Sequence, residues 1–352
     1  MRVLVVDDSA FMRRALSQML ATAEDVQVVG AARNGREGLE MARQLKPDVI
    51  TLDIEMPEMD GLTALQHIMQ ECPTQVLMLS SLTTEGSHAA LRALSLGAAD
   101  VLAKDASQIS LSITKMQAEL VSRVRALGSA KAHRFRSVKA IAGTGPAHAV
   151  PVFRPGQFDV VCIGSSTGGP PVLETILGAL PEGVQTPIVV AQHMPAVFTK
   201  SMSQRLDDLC AVRVLHIEDG MPLDRRAIYI APGGKHTHID RVGLARWRFR
   251  VDDEPAHAIY RPGVDALFES AANAVGGRVL GIVLTGMGND GLIGGQILHK
   301  RGATLLAQNA DSCVVYGMPK GITEQGLVAA SLPPERIAQA LKTLAMAPAK
   351  AG

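Results

Sequence analysis

The sequence predicts an α/β protein of two domains, each a parallel sheet wound on both faces by helices. Three observations predict it. The chain has 352 residues, about twice the roughly 150 expected of one domain, so two cores of independent size are available. Short apolar runs alternate with amphipathic stretches through the first 120 residues and again after Phe158, the rhythm of strands joined by helical crossovers. Between them, from Arg123 to Gln157, the chain turns to Ala, Gly, Pro, Ser and basic residues, with GTGP and RPG as breakers. The expected boundaries are therefore 1–120 for the first domain, 121–157 for a basic linker and 158–345 for the second domain.

In the first domain VLVV, VQVVGAA, DVITL, QVLMLS and ADVLA read as five successive strands. In the second, DVVCIG, TPIVVAQ, AIYIAP, RVLGIVLTG and ATLLAQ read as buried strands, and GLARWRFRVDD as a hairpin-like insertion. Hydrophobic residues at 47% and charged residues at 20% are ordinary for a globular protein. Aromatics amount to 3%, with a single Trp247, which leaves little from which to build a base-stacking surface. The net charge of +1 offers no global attraction to phosphate or to a membrane. It is unevenly spread, because no acid occurs between Glu119 and Asp159 while Arg123, Arg125, Lys131, Arg134, Arg136, Lys139 and Arg154 do. Such a run reads as a solvated tether before it reads as a binding patch.

Cys72, Cys162, Cys210 and Cys313 are widely spaced and form no C-x-x-C pair, which speaks for reduced thiols over a zinc site or a disulfide framework. The start of the chain, Arg2 followed by four apolar residues and then Asp7 and Asp8, is too short and too acidic for a signal peptide. No run of about 18 apolar residues occurs. A cytoplasmic protein with neither nucleic acid nor an inserted membrane segment among its partners is expected.

Asp7 and Asp8 end the first strand and Asp53 ends the third, so three carboxylates should meet where carboxyl ends of a doubly wound sheet open a crevice. Several hard oxygens suit Mg²⁺. Ser80, after the fourth strand, and Lys104, after the fifth, reach the same crevice. The set suits phosphoryl transfer to a carboxylate: a metal and a lysine neutralise the phosphoryl oxygens, and a hydroxyl senses them. A single acid at a strand end is usually a helix cap, but five positions at the ends of four strands make coincidence a poor account.

Through VDDSAFMR, LDIEMPEMDG, Ser80 and Lys104, residues 1 to about 120 resemble the receiver domains of two-component systems. The resemblance implies a flavodoxin-like (βα)5 fold, Asp53 as phosphoacceptor, Ser80 and Lys104 as switch residues, Mg²⁺ held by Asp7, Asp8 and Asp53, and a histidine kinase as phosphodonor. Val101 stands where many receivers have an aromatic residue, and Asp105 where a proline is usual.

In the second domain strand VVCIG runs into Gly164, Ser165, Ser166, Thr167 and Gly168, a G-x-S-x-G turn. Small residues are needed there because the turn is sharp and the serine must project clear of the backbone, with following amides available to an oxyanion. The same turn also suits a phosphate-binding site. A histidine and an aspartate in corresponding places favour the nucleophile: His193 follows TPIVVAQ and Asp290 follows LGIVLTG, both at carboxyl ends of strands. Ser166 would attack, His193 would carry the proton and Asp290 would orient the imidazole. The chain order Ser, His, Asp differs from that of α/β-hydrolases, whose histidine comes last, so a different fold is expected. His236 and His238 in GGKHTHID look like a metal pair but have no acid or Cys cluster beside them, and His216, His257 and His299 have no evident partner; a core or surface role is expected for all of these.

Through IGSSTGGP, VVAQHMPAVFT, EDGMPL, IYIAPGGKH, YRPGVDALF, LTGMGNDG and VVYGMPKGI, residues 158 to about 345 resemble the catalytic domain of the chemotaxis methylesterase family, CheB. The resemblance implies a Rossmann-like parallel-sheet esterase with Ser166, His193 and Asp290 as triad, the amides of Thr167 and Met287 as oxyanion donors and His236 nearby in support. Gly263 replaces a serine common in that motif, and Leu292 and Ile293 stand where small or polar residues are frequent. The reaction implied is hydrolysis of glutamate γ-methyl esters on methyl-accepting chemoreceptors, releasing methanol through an acyl-enzyme without a cofactor, with glutamine deamidation as a second activity. A transcriptional regulator is disfavoured by the lack of a helix-turn-helix pattern, and a docking module with a dead esterase by the complete triad.

Overall fold

The computed structural model describes residues 1–104, 111–129, 150–224, 226–256 and 258–345, with side chains 111–115 left aside. The chain divides into two compact units, Met1–Ala142 and Gly143–Gly352.

In the first unit β1 (Arg2–Val6), β2 (Gln27–Ala32), β3 (Val49–Asp53), β4 (Gln75–Ser81) and β5 (Asp100–Lys104) form one parallel sheet in the order β2-β1-β3-β4-β5. Its interior strands are apolar along their length because helices cover both faces, and Val3 to Val6 are fully buried. The helices are α1 (Ala10–Ala21), α2 (Gly35–Leu45), α3 (Gly61–Glu71), α4 (Thr84–Ser95) and α5 (Leu111–Ser129). Ser9, Asn34, Asp60 and Thr83 each accept an amide of the following first turn, so polar side chains start the first four helices just past the strand ends. Val101 lies buried in β5 opposite Met78; Asp105 falls outside the described residues.

The expected start of the linker at 121 is too early, since α5 continues to Ser129. Arg123 is no tether cation: its guanidinium pairs at 2.6 Å with both Asp100 and Glu119. Arg125 likewise pairs with Asp25. A helix whose cations face partners on the sheet and on its own preceding turn was indistinguishable from a basic run in composition alone.

The second unit carries β6 (Val160–Ser165), β7 (Ile188–Gln192), β8 (Val214–His216), β9 (Ile228–Ile230), β12 (Val279–Val283), β13 (Thr304–Gln308) and β14 (Ala330–Leu332). They form a seven-stranded parallel sheet in the order β14-β13-β12-β6-β7-β9-β8. β8 and β14, absent from the expectation, are three-residue edge strands, too short to show a period. The helices are α6 (Gly169–Leu177), α7 (Ala196–Leu209), α8 (Val264–Ala274), α9 (Leu292–Lys300), α10 (Met318–Glu324) and α11 (Pro334–Lys342). β10 (His236–Gly243) and β11 (Arg246–Asp252) form the expected hairpin. It folds onto α8, where Trp247 Nε1 donates to Ala274 O at 3.2 Å, and it buries Phe249 against Tyr229 with ring centroids 4.9 Å apart.

The end of the expected linker also belongs to this unit. Phe153 is buried edge-on against Phe158 at 5.1 Å, and its amide donates to Thr343 Oγ1 at 2.8 Å. None of the four cysteines is in a disulfide. Among the described residues, no helix is long and apolar enough to cross a membrane.

Candidate functional site

In the first unit the strand order reverses between β1 and β3, which opens a crevice beyond their carboxyl ends. Asp7 and Asp8 follow β1 and Asp53 closes β3. One oxygen from each carboxylate lies within 4.8 Å of the others, with Asp7 and Asp53 buried and Asp8 exposed. Lys104 Nζ sits 2.6 Å from Asp53 Oδ1 and 3.5 Å from Asp7 Oδ2. Burial pushes the Asp7 and Asp53 carboxyls above their ordinary range, against the pull of Lys104. One ammonium among three carboxylates leaves excess negative charge in a partly desolvated crevice, and all three donors are hard oxygens. Ser80, one residue past the Leu79 that pairs with Asp53, is buried, and its hydroxyl donates to Gly86 O at 2.8 Å in the first turn of α4.

In the second unit the order reverses between β6 and β12, and the sequence-predicted residues gather at that point. Ser166 directly follows β6, and its amide donates to Thr285 O beyond β12 at 3.0 Å. Ser165 pairs with Gln192, which places Ser166 and His193 side by side, each one residue past its strand. His193 N donates to Ser165 O at 3.0 Å, and Gln192 Nε2 donates to Ser166 O at 2.9 Å. Ser166, Thr167 and His193 are all at least nine-tenths buried.

His193 Nε2 donates to Asp290 Oδ2 at 2.7 Å. Its Nδ1 is buried and makes no hydrogen bond, so Ser166 and His193 are not bonded in this conformation. Apo catalytic hydrogen bonds are often open in this way. Burial acts to raise the Asp290 carboxyl, but the hydrogen bond and charge of His193 and two helix amides outweigh it and hold the group below its usual range.

Thr167 begins the turn into α6, whose N-cap Gly168 has φ +77°. A Cβ at Gly168 would also lie 2.5 Å from Val314 Cβ, so both conformation and space require glycine. Met287 sits in the loop after β12, behind Gly286, where a Cβ would approach Ser166 Cβ to 2.8 Å. That loop is held by Thr285, which is fully buried: its hydroxyl donates to Thr167 O at 2.9 Å and accepts Val315 N–H at 3.1 Å, while its amide donates to Gln308 Oε1 at 2.8 Å.

His236 and His238 take the core alternative of the two that the sequence left open. Both are buried on β10. His236 Nδ1 accepts the amide of Gly263, just ahead of α8, at 3.1 Å, and His238 Nε2 lies 2.9 Å from Glu254 O and 3.2 Å from Asp252 Oδ1. A serine at 263 would bring its Cβ to 3.0 Å from the His236 ring, so the glycine relieves a close contact. His216 Nε2 meets Thr199 Oγ1 at 3.2 Å, and burial holds its imidazole below the ordinary range. His257 lies outside the described residues.

The sequence reading missed Tyr260, whose ring stacks on His193 with centroids 4.4 Å and planes 9° apart. It also missed Thr285, Gln192 and Asp265. The YRPGVDALF run contained two of these, but nothing in one chain marks a tyrosine or a first-turn acid as lying beside a distant histidine. Leu292 and Ile293 open α9; Ile293 and the Ile259 beside Tyr260 are exposed.

Comparison with known proteins shows the family of both units. Residues 161–341 match the family described as CheB methylesterase, and residues 3–114 match the response regulator receiver domain. The chain is 46% identical to a protein-glutamate methylesterase/protein-glutamine glutaminase of Oleidesulfovibrio alaskensis, over 97% of this chain and 98% of that one. It is 43% identical to a protein of the same name from Vibrio parahaemolyticus, over 96% and 97%. Among solved structures, the Thermotoga maritima CheB methylesterase catalytic domain superposes with a TM-score of 0.51 at 38% identity, covering 53% of this chain and 98% of that one.

Proposed function

Because the chain belongs to the CheB methylesterase family and carries a response regulator receiver ahead of the esterase, we propose that it is a phosphorylation-activated esterase. Its substrates are glutamate γ-methyl esters on the cytoplasmic helices of chemoreceptors, and it also deamidates receptor glutamines. The observation that carries this reading is the His193–Asp290 pair at 2.7 Å with the opposite ring nitrogen uncommitted, one strand away from Ser166.

The chemistry follows from that pairing. Nε2–H stays on the Asp290 carboxylate, so the tautomer leaves a lone pair on Nδ1 to accept the Ser166 proton as Oγ attacks the ester carbonyl. The oxyanion is received by the amides of Thr167 and Met287, which the Thr285 hydroxyl and the Gly286 approach hold close to Ser166. Collapse of the intermediate expels methoxide, which takes the proton from Nδ1 and leaves as methanol. Water then attacks the acyl-enzyme by the reverse proton route and frees the glutamate. With glutamine the leaving group is ammonia and the remaining steps are unchanged. The exposed apolar Ile259 and Ile293 beside this rim suit a protein surface as substrate.

In the receiver, Asp53 is the phosphoacceptor and Asp7, Asp8 and Asp53 are the residues to hold Mg²⁺, which supplies charge neutralisation for the phosphoryl oxygens. The fit rests on three oxygen donors within 4.8 Å and a single lysine to offset them. Lys104 steadies the incoming phosphoryl group, and Ser80 is placed to turn from Gly86 toward it. The phosphodonor is a histidine kinase of the pathway. The deciding assay is methanol release from methylated receptor membranes, with and without a small-molecule phosphodonor: release must rise with the donor and disappear in Ser166→Ala.

A further inference from the structure

Two helices start beside the triad without a capping side chain of their own. The N-cap of α8 is Gly263 and that of α9 is Gly291, and neither supplies a side-chain hydrogen bond. The first amides of a buried helix need acceptors. Each helix takes them from the other. Asp290, next to Gly291, accepts Val264 N–H on Oδ2 at 2.7 Å and Asp265 N–H on Oδ1 at 2.8 Å. Asp265, in the first turn of α8, accepts Gly291 N–H at 3.0 Å and Gly294 N–H at 2.7 Å on its own Oδ1. The two carboxylates cap in exchange, each also favoured by the positive end of the helix it faces.

The exchange reaches the active site because one oxygen is shared. Asp290 Oδ2, which accepts Val264 N–H, also accepts His193 Nε2–H at 2.7 Å. The direction of that oxygen sets the plane of the imidazole and so the direction of Nδ1. Asp290 is itself held through Gly291, whose amide is bound by Asp265. The helix starts are in close contact besides: a Cβ on Gly294 would lie 2.6 Å from Phe268 Cβ and 2.8 Å from Asp265 O.

We propose that Asp265 is a positioning residue of the esterase, which binds the Gly291 and Gly294 amides and thereby fixes the Asp290 carboxylate against His193. The proposal rests on the reading of Ser166, His193 and Asp290 as the triad. The electrostatics of the pair agree with this division of roles. Burial and the Asp290 carboxylate push Asp265 up to about 6, whereas Asp290 is held below its usual range by His193 and two amides. As pH falls the first proton taken up by these two close carboxyls therefore goes to Asp265, and the group facing the imidazole keeps its charge.

The test compares Asp265→Asn with Asp265→Ala in the full-length, phosphodonor-treated protein. Ser166 labelling by a fluorophosphonate is read beside kcat and KM for receptor demethylation. Asparagine keeps an acceptor oxygen for the two amides, so labelling and kcat should stay within about threefold of the unsubstituted protein. Alanine keeps none, and a misdirected imidazole should cost on the order of 10²-fold in both, with KM unchanged. A merely structural role would change the yield of active protein but not the labelling rate per folded molecule. Should the alanine variant not fold, Asp265→Ser, too short to span both amides, carries the same comparison. If Ser166 in the unsubstituted protein is not labelled, the triad reading fails. If it is labelled and the folded Ala or Ser variant reacts equally fast, the role of Asp265 alone is overturned.

Discussion

His193 uses its two ring nitrogens in the opposite sense to the familiar serine-protease triad, giving Nε2 to the carboxylate and leaving Nδ1 for the serine. Either sense serves the chemistry provided that one nitrogen holds its proton against the carboxylate and the other faces the serine, and Asp290 fixes that tautomer. Ser166→Ala and His193→Ala should each lose on the order of 10⁶-fold in kcat, and Asp290→Ala less, measured as methanol release from receptor membranes. Near-normal turnover by Ser166→Ala would end the serine-esterase reading. In the receiver, Asp53→Asn should abolish acid-labile phosphate incorporation from a phosphodonor, and chelation of divalent metal should do the same to the unsubstituted protein; unchanged labelling of the variant would move the acceptor elsewhere. Asp265 carries a pH signature of its own. Its carboxyl is raised from 3.8 to about 6 in the folded chain, so the folded state holds the proton more tightly and loses stability as pH rises from about 4 to about 6. Asp265→Asn lacks that loss. The Tm of the variant relative to the unsubstituted protein should climb across this window and level off above it, and a flat difference would show that the carboxyl is not raised.

At the scale of elements, the site is three strand ends and the loops that leave them. β6 delivers Ser166 into α6, β7 delivers His193, β12 delivers the Gly286–Gly291 loop into α9, and Thr285 ties the first and the last together. Thr285→Val preserves shape but takes an acceptor from the Val315 amide and a donor from the Thr167 carbonyl where Thr285 is fully buried, which costs about 1–3 kcal/mol of stability. Because those segments carry the two amides proposed to bind the oxyanion, kcat should fall about 10- to 100-fold at nearly constant KM, and Thr285→Ser should restore most of it. An equal loss in the serine variant would assign the effect to the methyl group. The strands that deliver the triad were legible because parallel strands buried on both faces are unbroken apolar runs. The edge strands β8 and β14 were not, and the burial of His236 and His238 stayed open because GGKHTHID has the composition of a turn although its second half is buried against α8. The exchange of caps was invisible for another reason: each bond joins residues at least 25 apart, and each helix begins with a glycine that carries no signal of its own.

The chain joins a receiver to an esterase whose proposed triad lies wholly in the second unit, so regulation through the receiver is expected to act on access to that triad or on its geometry. A receptor helix must bring a protein surface to Ser166, and restricted access would weigh more on such a substrate than on a small ester. The end of the expected linker belongs to the esterase core through Phe153 and Thr343, so a free catalytic fragment should begin near Pro151 and not near Gly156. That fragment should demethylate receptors faster than the unphosphorylated full-length protein, and phosphodonor should stimulate only the latter. The gain should be larger on receptor membranes than on a small ester. A folded fragment slower than the intact unphosphorylated protein on both substrates would make the receiver an activating partner.

By itself the sequence determined the fold class, the strands that lead into Asp7, Asp53, Ser166 and the loop of Asp290, and the residue types that meet there. It could do so because apolar runs and small-residue turns are local features, and strand ends in a doubly wound sheet converge by topology. Only the tertiary structure decided which nitrogen of His193 faces Asp290, that Tyr260 stacks on that ring, that Thr285 and Asp265 brace the loops, and where the flanking segments stop being tether. Those depend on contacts between residues far apart in the chain, whose energies come from burial and mutual geometry and leave no pattern in the order of amino acids.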